Sequence, residues 1–312
     1  MISGQIDTEY GKIKYKTDES TAYITEYAGR DLTVKIPEEI DGKRVKVISK
    51  KAFLSQKLVK RIELPSSIEI VEDYAFARCS KLESILIPYK DLKLGIDILK
   101  ECRELAYIEN SLENENIHFS EKRKEDVAYL LAKTLGELEA FFLFDLKNAG
   151  SDEWLHHLDA TIGMRLKKDD MENFSKMILC GEEEVVCGDD GTIEDSNPEH
   201  YKSNRVKEKV RIAFMRLLHN YGINADLEGE LISYLLEHTK GCQTEETWQV
   251  VMNEHGDEKE YYDYLLKIGA INDNNISDVL TDMGNRHTEI KSYLITINSD
   301  SNNDDTFSDF EL

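Results

Sequence analysis

Two adjacent histidines followed by an aspartate are the side chains best suited to catalysis or metal binding. His156 and His157 precede Asp159 in a stretch whose apolar spacing predicts a helix over about 152–168. Neighbouring residues of a helix point about 100° apart, so these two imidazoles cannot readily bind one metal ion. A hydrolytic site between the C-terminal helices that uses His156, Asp159 or His219 is the alternative to a non-catalytic protein.

Other potential ligands lack the spacing that a metal site needs. Cys180 and Cys187 are farther apart than the paired cysteines of zinc sites, and no second ligand pair stands in register. The run Asp189-Asp190-Gly191 misplaces the oxygen ligands and the closing glutamate of a calcium loop. No glycine-rich phosphate loop, nucleophile elbow or recognisable Cys–His dyad occurs. The sequence therefore predicts no catalytic residue, no metal and no cofactor.

The dominant pattern of the chain is a 23-residue repeat near its start. Phe53 and Phe76 are 23 residues apart, and Leu99 follows at the same interval. The other columns with this period are Ile48, Val71 and Leu94; Gln56, Cys79 and Cys102; Val59, Leu82 and Leu105; Ile62, Ile85 and Ile108; and Pro65 with Pro88. Such a period predicts a solenoid, because stacked units bury apolar edges that one unit cannot bury alone.

Each repeat is predicted to contain a short β-strand that ends at a proline. Alternate strand residues point to opposite faces, so if the isoleucine column points inward, its neighbours point outward. The outward side chains form what we call the outer strip: Arg61, Glu63, Ser84, Leu86, Tyr107 and Glu109. Exposed Leu and Tyr among charges resemble the composition of protein interfaces. The outer strip is thus predicted to bind a protein partner, and a plain solvated sheet face is the alternative.

The same columns resemble a known family. The segment from Ala75 to Pro88 reads Ala-Phe-x-x-Cys-x-x-Leu-x-x-Ile-x-Ile-Pro and resembles the BspA-type leucine-rich repeat. The approach through residues 36–45 is similar as well, so the resemblance covers roughly residues 10–110. It implies a solenoid and, for function, recognition of a protein or surface ligand. The sequence departs from the motif at Gln56, where Cys is usual, and the third unit loses its Phe and Pro, as expected of a cap.

From Ser120 onward the apolar period becomes that of helices. A first helix is predicted from a cap at Ser120 to Gly150, and further helices follow at about 152–168 and 169–180. More helices are predicted after an acidic loop at about 181–202.

The last helices resemble ankyrin repeats. The resemblance rests on Gly256-Asp257, Gly269-Ala270 and His287-Thr288 with their neighbouring Leu residues. An unrelated helical bundle is the alternative.

The predicted fold class is therefore α+β. A short BspA-type β-solenoid at 1–116 is followed by an all-α stack of helical pairs, ankyrin-like, at 117–297. A disordered acidic tail is predicted at 298–312, because this segment is polar and acidic.

Composition narrows the classes of partner. The 312 residues carry 39 basic and 62 acidic side chains, a formal charge of −23. Residues 1–110 contain 19 of each sign, so the remaining residues carry the whole excess. Such a charge opposes binding to nucleic acid or anionic membranes. Five cysteines, an odd number, and no secretory leader in this sequence predict a cytoplasmic location.

We therefore expect a non-catalytic interaction protein with an unidentified protein partner and an oligomeric state that the sequence does not define. A surface adhesin is the third hypothesis, since members of the resembling family are often secreted adhesins.

Overall fold

A computed structural model of the chain describes residues 1–88, 92–110, 120–172, 174, 197–239 and 245–307, with side chains omitted at 110 and 298–307. The chain divides into two compact units, Met1–Leu158 and Asp159–Leu312. The domain boundary predicted at 116/117 lies outside the described residues and stays a prediction. The first helix belongs to the same compact unit as the repeats.

Eleven strands among the described residues form two sheets. They are β1 (Ile2–Asp7), β2 (Gly11–Thr17), β3 (Thr21–Gly29), β4 (Thr33–Lys35), β5 (Glu39–Ile40), β6 (Lys43–Ile48), β7 (Arg61–Glu63), β8 (Ile70–Val71), β9 (Ser84–Ile87), β10 (Lys93–Leu94) and β11 (Tyr107–Asn110). The seven-stranded sheet has the order β1-β2-β3-β6-β8-β10, with β5 beside β6. The four-stranded sheet has the order β11-β9-β7-β4, and its pairs are parallel. Each repeat thus adds one strand to each sheet, which confirms the predicted solenoid.

The apolar columns stack as the 23-residue period predicts. The rings of Phe53 and Phe76 have centroids 5.5 Å apart, and Tyr27 stacks on Phe53 at 5.4 Å. All three side chains are buried. On the four-stranded sheet, the buried isoleucines of β7, β9 and β11 lie in register with Val34 of β4. Nearest-neighbour contacts of this kind are the source of solenoid stability.

A ladder of side-chain hydrogen bonds follows the aromatic column. The thiol of Cys79 donates to the carbonyl of Phe53, and the thiol of Cys102 donates to that of Phe76. In the preceding turn the Gln56 amide donates to the carbonyl of Tyr27 at 3.1 Å. Gln56 therefore replaces the usual Cys without losing the hydrogen bond, because its longer side chain also ends in a donor.

The turns between strands contain strained backbone positions that recur in each repeat. Two positions per repeat adopt a left-handed conformation with non-glycine residues: Lys51, Tyr74 and Asp97, and four residues later Ser55, Arg78 and Glu101. Such a conformation costs about 1–2 kcal/mol per residue. Stacking of the columns must offset this cost in every repeat.

Eight α-helices follow within the described residues: α1 (Glu121–Lys133), α2 (Asp152–Leu166), α3 (Pro198–Leu218), α4 (Ala225–Glu237), α5 (Glu246–Glu254), α6 (Lys259–Lys267), α7 (Ile276–Met283) and α8 (Thr288–Phe307). Ser120 caps α1 by accepting from the Arg123 N–H, as predicted. The predicted continuation to Gly150 is wrong. Thr134 hydrogen-bonds back to Leu131, and the chain then turns, with Glu139 in a left-handed conformation.

Two other predicted segments can be compared with the structure only in part. Helix α3 begins at Pro198, within the acidic loop predicted at about 181–202. Residues 181–196 of that loop lie outside the described residues. Most of the helix predicted at 169–180 lies outside them as well. The helix α8 continues to Phe307, ten residues into the segment 298–312, and the predicted disorder of this tail stays a prediction.

The second unit packs around the long helix α3, which contacts α4, α5 and α6. Phe214 of α3 lies against Tyr261 of α6, with ring centroids 5.0 Å apart. The helices α5 and α6 pair through Trp248 and Tyr262, and α7 contacts α8. The structure thus contains two successive helical pairs, while the resemblance to ankyrin repeats stays a prediction.

The aromatic column gives the first prediction. Phe76→Ala removes a fully buried ring from the middle of the column and should lower the free energy of unfolding by about 3–5 kcal/mol. Urea unfolding of wild type and variant measures this difference. Leu58→Ala is the control, because Leu58 is half exposed and its truncation should change stability by less than about 1 kcal/mol. Equal losses in the two variants would contradict the stacked column.

Candidate protein-binding surface

The outer strip consists of two parallel rows on the four-stranded sheet. Register places Arg61, Ser84 and Tyr107 in one row, and Glu63, Leu86 and Glu109 in the other. All six side chains are partly exposed and alternate with buried ones, as predicted for an outward face. That this face binds a partner stays a prediction.

The strip also contains two residues that sequence reasoning missed. Thr33 and Lys35 of β4 extend the rows by one strand, in register with Arg61 and Glu63. The first unit is longer than 23 residues, so the period could not align it. The signal that could have found β4 is the Ile36-Pro37 pair, which ends this strand as Leu64-Pro65 ends the next one.

A single guanidinium holds the strip in one arrangement. Arg61 makes a bidentate ion pair with Glu109, two repeats away, with nitrogen–oxygen distances of 2.5 and 2.8 Å. It also donates to Glu63 at 3.0 Å and to the Ser84 hydroxyl at 2.9 Å. The hydrogen bonds that Arg61 donates to Glu109 and Glu63 raise the pKa of Arg61 above its ordinary value despite its partial burial. Arg61 therefore links three strands of the sheet.

The other end of the strip is partly covered. Helix α1 packs on β11, and the ring of Tyr107 meets that of Tyr129 edge-on, with centroids 5.7 Å apart. Tyr107 therefore contributes to the packing of α1 as well as to the strip. Leu86 is the apolar residue at the centre, in the row between Glu63 and Glu109.

Charges elsewhere on the repeats are also arranged across the repeat interface. Five ion pairs within the described residues join a basic residue to an acidic one 23 positions later: Lys46–Glu69, Lys50–Asp73, Lys60–Glu83, Arg78–Glu101 and Lys81–Glu104. Each exposed pair contributes only about 0–1 kcal/mol. Together they neutralise the surface locally, consistent with the zero net charge of residues 1–110.

The residues of the hydrolytic alternative have structural partners. Asp159 accepts from the fully buried Arg216 at 2.7 Å and from the Asn224 backbone N–H at 2.9 Å. The guanidinium of Arg216 also donates to the carbonyls of His219 and Tyr221. Both oxygens of Asp159 thus hold the turn after α3. His156 is exposed on α2, with its ring centroid 6.2 Å from that of His157.

Sites of other kinds were sought in the part of the chain that the structure describes. There, no group of three or more His, Cys, Asp or Glu side chains could hold a metal ion. Cys180, Cys187 and the run Asp189-Asp190-Gly191 lie outside the described residues. None of the described helices combines the length and apolar composition needed to cross a bilayer.

Comparisons with known proteins assign the class of the repeats. Residues 16–121 match the family described as the BspA type leucine rich repeat region, in six copies. The repeat region of this chain is therefore a BspA-type leucine-rich-repeat solenoid, which confirms the resemblance drawn from the sequence. No curated protein matches the chain significantly.

Three solved structures are similar to the repeat region. A leucine-rich repeat protein of T. pallidum is 29% identical with a TM-score of 0.30, and the match covers 34% of this chain and 49% of that one. A leucine-rich cell surface protein of Faecalibacterium prausnitzii is 19% identical with a TM-score of 0.29, covering 35% and 30%. A leucine-rich repeat protein of Bacteroides ovatus is 25% identical with a TM-score of 0.29, covering 33% and 29%. The matches span half or less of the length of these structures.

The Arg61 network gives the second prediction. Arg61→Lys keeps the charge but loses the planar fork, so it should lower the free energy of unfolding by about 0.5–1 kcal/mol. The loss should shrink in 1 M salt, because half-exposed ion pairs are screened. Urea unfolding at low and high salt measures both effects. Lys81→Met, which removes a single exposed ion pair, is the control. An effect of Arg61→Lys no larger than that of the control, at both salt concentrations, would show that the network is not cooperative.

Proposed function

We propose that this protein is a non-catalytic recognition module that binds a protein partner through the outer strip. The observation that carries the proposal is the Arg61 network, in which one side chain is fixed by Glu63, Ser84 and Glu109. A surface whose side chains are already ordered loses less conformational entropy on binding than a mobile one. Such pre-organisation suits recognition.

The chemistry of the strip favours a protein over a highly charged ligand. The basic group at its centre already binds two carboxylates, so a phosphate or an anionic lipid would have to displace them. Leu86 supplies apolar contact area inside a polar rim, which is the usual anatomy of protein interfaces. The charge of −23 further disfavours nucleic acid and anionic membranes.

The proposal also concerns the cellular compartment in which the protein binds its partner. An odd number of cysteines supports the cytoplasm, and Cys79 and Cys102 are free thiols. Members of the BspA-type family are often secreted adhesins, so a surface adhesin is the second candidate. Fractionation of the producing cells separates the two candidates. Both use the same strip, whereas a hydrolytic site at Asp159 would require the loss of its bonds to Arg216 and Asn224.

The third prediction tests the strip directly. Leu86→Lys places an ammonium between Glu63 and Glu109, so the fold should persist within about 1 kcal/mol while the apolar centre is lost. Quantitative crosslinking mass spectrometry in the producing cell should show a partner with the wild type and at least a tenfold weaker signal with this variant.

The matched control is Ile96→Lys. Ile96 is exposed in the turn after β10, beside Asp73 and outside the four-stranded sheet, so this change adds the same charge elsewhere. Its crosslinks should equal those of the wild type. Partner crosslinks that survive Leu86→Lys, or that are lost equally in both variants, would refute the outer strip as the binding surface.

A further inference from the structure

The first strand forms an edge of the seven-stranded sheet. Within the described residues, β1 pairs with β2 on one side and with no strand on the other. Natural proteins usually protect such edges with proline, lysine or a bulge. Residues 2–6 of β1, Ile-Ser-Gly-Gln-Ile, contain no proline and no charge, and β1 pairs with β2 without a register shift.

The hairpin register shows which backbone groups point outward. The Thr8 N–H donates to the Gly11 carbonyl, which makes these two residues a hydrogen-bonded pair of the antiparallel ladder. Such pairs alternate along the strand, so Ile2, Gly4 and Ile6 direct their backbone groups to β2. The N–H and C=O groups of Ser3, Gln5 and Asp7 therefore point to the free edge.

The side chains at this edge are apolar on one face. Ile2 and Ile6 lie opposite Thr17 and Ile13 of β2, on the face that is buried further along the sheet. Ile2 is 72% exposed and Ile6 is partly exposed. Between them, the ring of Tyr15 occupies the space where Gly4 would carry a side chain. The apolar layer of the sheet thus extends to its edge.

We propose that β1 is a dimerisation strand that pairs antiparallel with β1 of a second copy of this chain, centred on Gly4. In this register Ser3 faces Gln5 of the second copy, and both of these residues point their backbone groups outward. Ile2 faces Ile6 of the second copy in a non-hydrogen-bonded pair, where side chains are closest. The two-fold axis passes between the two Gly4 residues, which have no side chain of their own, and the Tyr15 ring of each copy lies over its own Gly4.

Repulsion between the lysines of the two copies does not prevent this strand pairing. The lysines nearest the edge are Lys12, Lys14 and Lys16 of β2. Lys12 and Lys14 form ion pairs with Asp7 and Glu26 of their own chain. In the dimer the two β2 strands would be three strand spacings apart, about 14 Å. That distance exceeds the Debye length of about 8–10 Å at physiological salt, so repulsion between them is weak.

Sedimentation of the full 312-residue chain over about 1–300 μM tests the proposal. An interface of one strand pair is small, so a concentration-dependent monomer–dimer equilibrium is expected rather than a permanent dimer. Ile2→Lys should raise the dimer Kd at least tenfold, because each new ammonium would face Ile6 of the other copy. Tyr10→Lys is the matched control, since Tyr10 is 66% exposed in the adjacent turn, and it should dimerise like the wild type.

Backbone hydrogen exchange supplies the second measurement. As concentration rises, the amides of Ser3 and Gln5 should become protected, while those of Gly4 and Ile6, already bonded to β2, should not change. A wild type that stays monomeric over this range overturns the proposal. So does a dimer that Ile2→Lys leaves intact, or one in which Ser3 and Gln5 exchange at the monomer rate.

Discussion

Parallel stacking at intervals of 23 residues is the constraint on which the repeat region depends. A unit of three-residue strands and tight turns cannot bury its own apolar edge, so each unit is stable only against its neighbours. Once Phe53 lies on Phe76, the same register brings together thiols and carbonyls, inward isoleucines, and lysines with the acidic residues one repeat later. The strained left-handed turns persist because this register is stabilised along the whole array.

This use of side chains supports the proposal that the protein binds a partner rather than catalysing a reaction. The cysteines of the repeats donate hydrogen bonds to backbone carbonyls, and Asp159, the carboxylate of the hydrolytic alternative, holds Arg216 and the turn after α3. These groups would have to give up structural hydrogen bonds to take part in catalysis, which would cost free energy. The outer strip is different, since its ordered side chains remain partly exposed.

The sequence predicted what depends on local periodicity and missed what depends on distant packing. The aromatic column, the buried isoleucines and the outward side chains followed from one period. The strand β4 was missed because its unit is longer, although Ile36-Pro37 marks its end. The end of α1 at Lys133 and the cover that Tyr129 gives to Tyr107 could not be predicted, because apolar spacing does not show which helix packs on which strand. The Arg61–Glu109 pair spans two repeats, beyond any local pattern.

A double-mutant cycle on Phe53 and Phe76 tests the stacking most directly. Phe53→Leu, Phe76→Leu and the double variant are compared with the wild type by urea unfolding, and the coupling energy is the departure from additivity. Rings whose centroids lie 5.5 Å apart should be coupled by about 0.5–1.5 kcal/mol in favour of the Phe–Phe pair. Additive losses, with no measurable coupling, would contradict the stacked column and the solenoid register built on it.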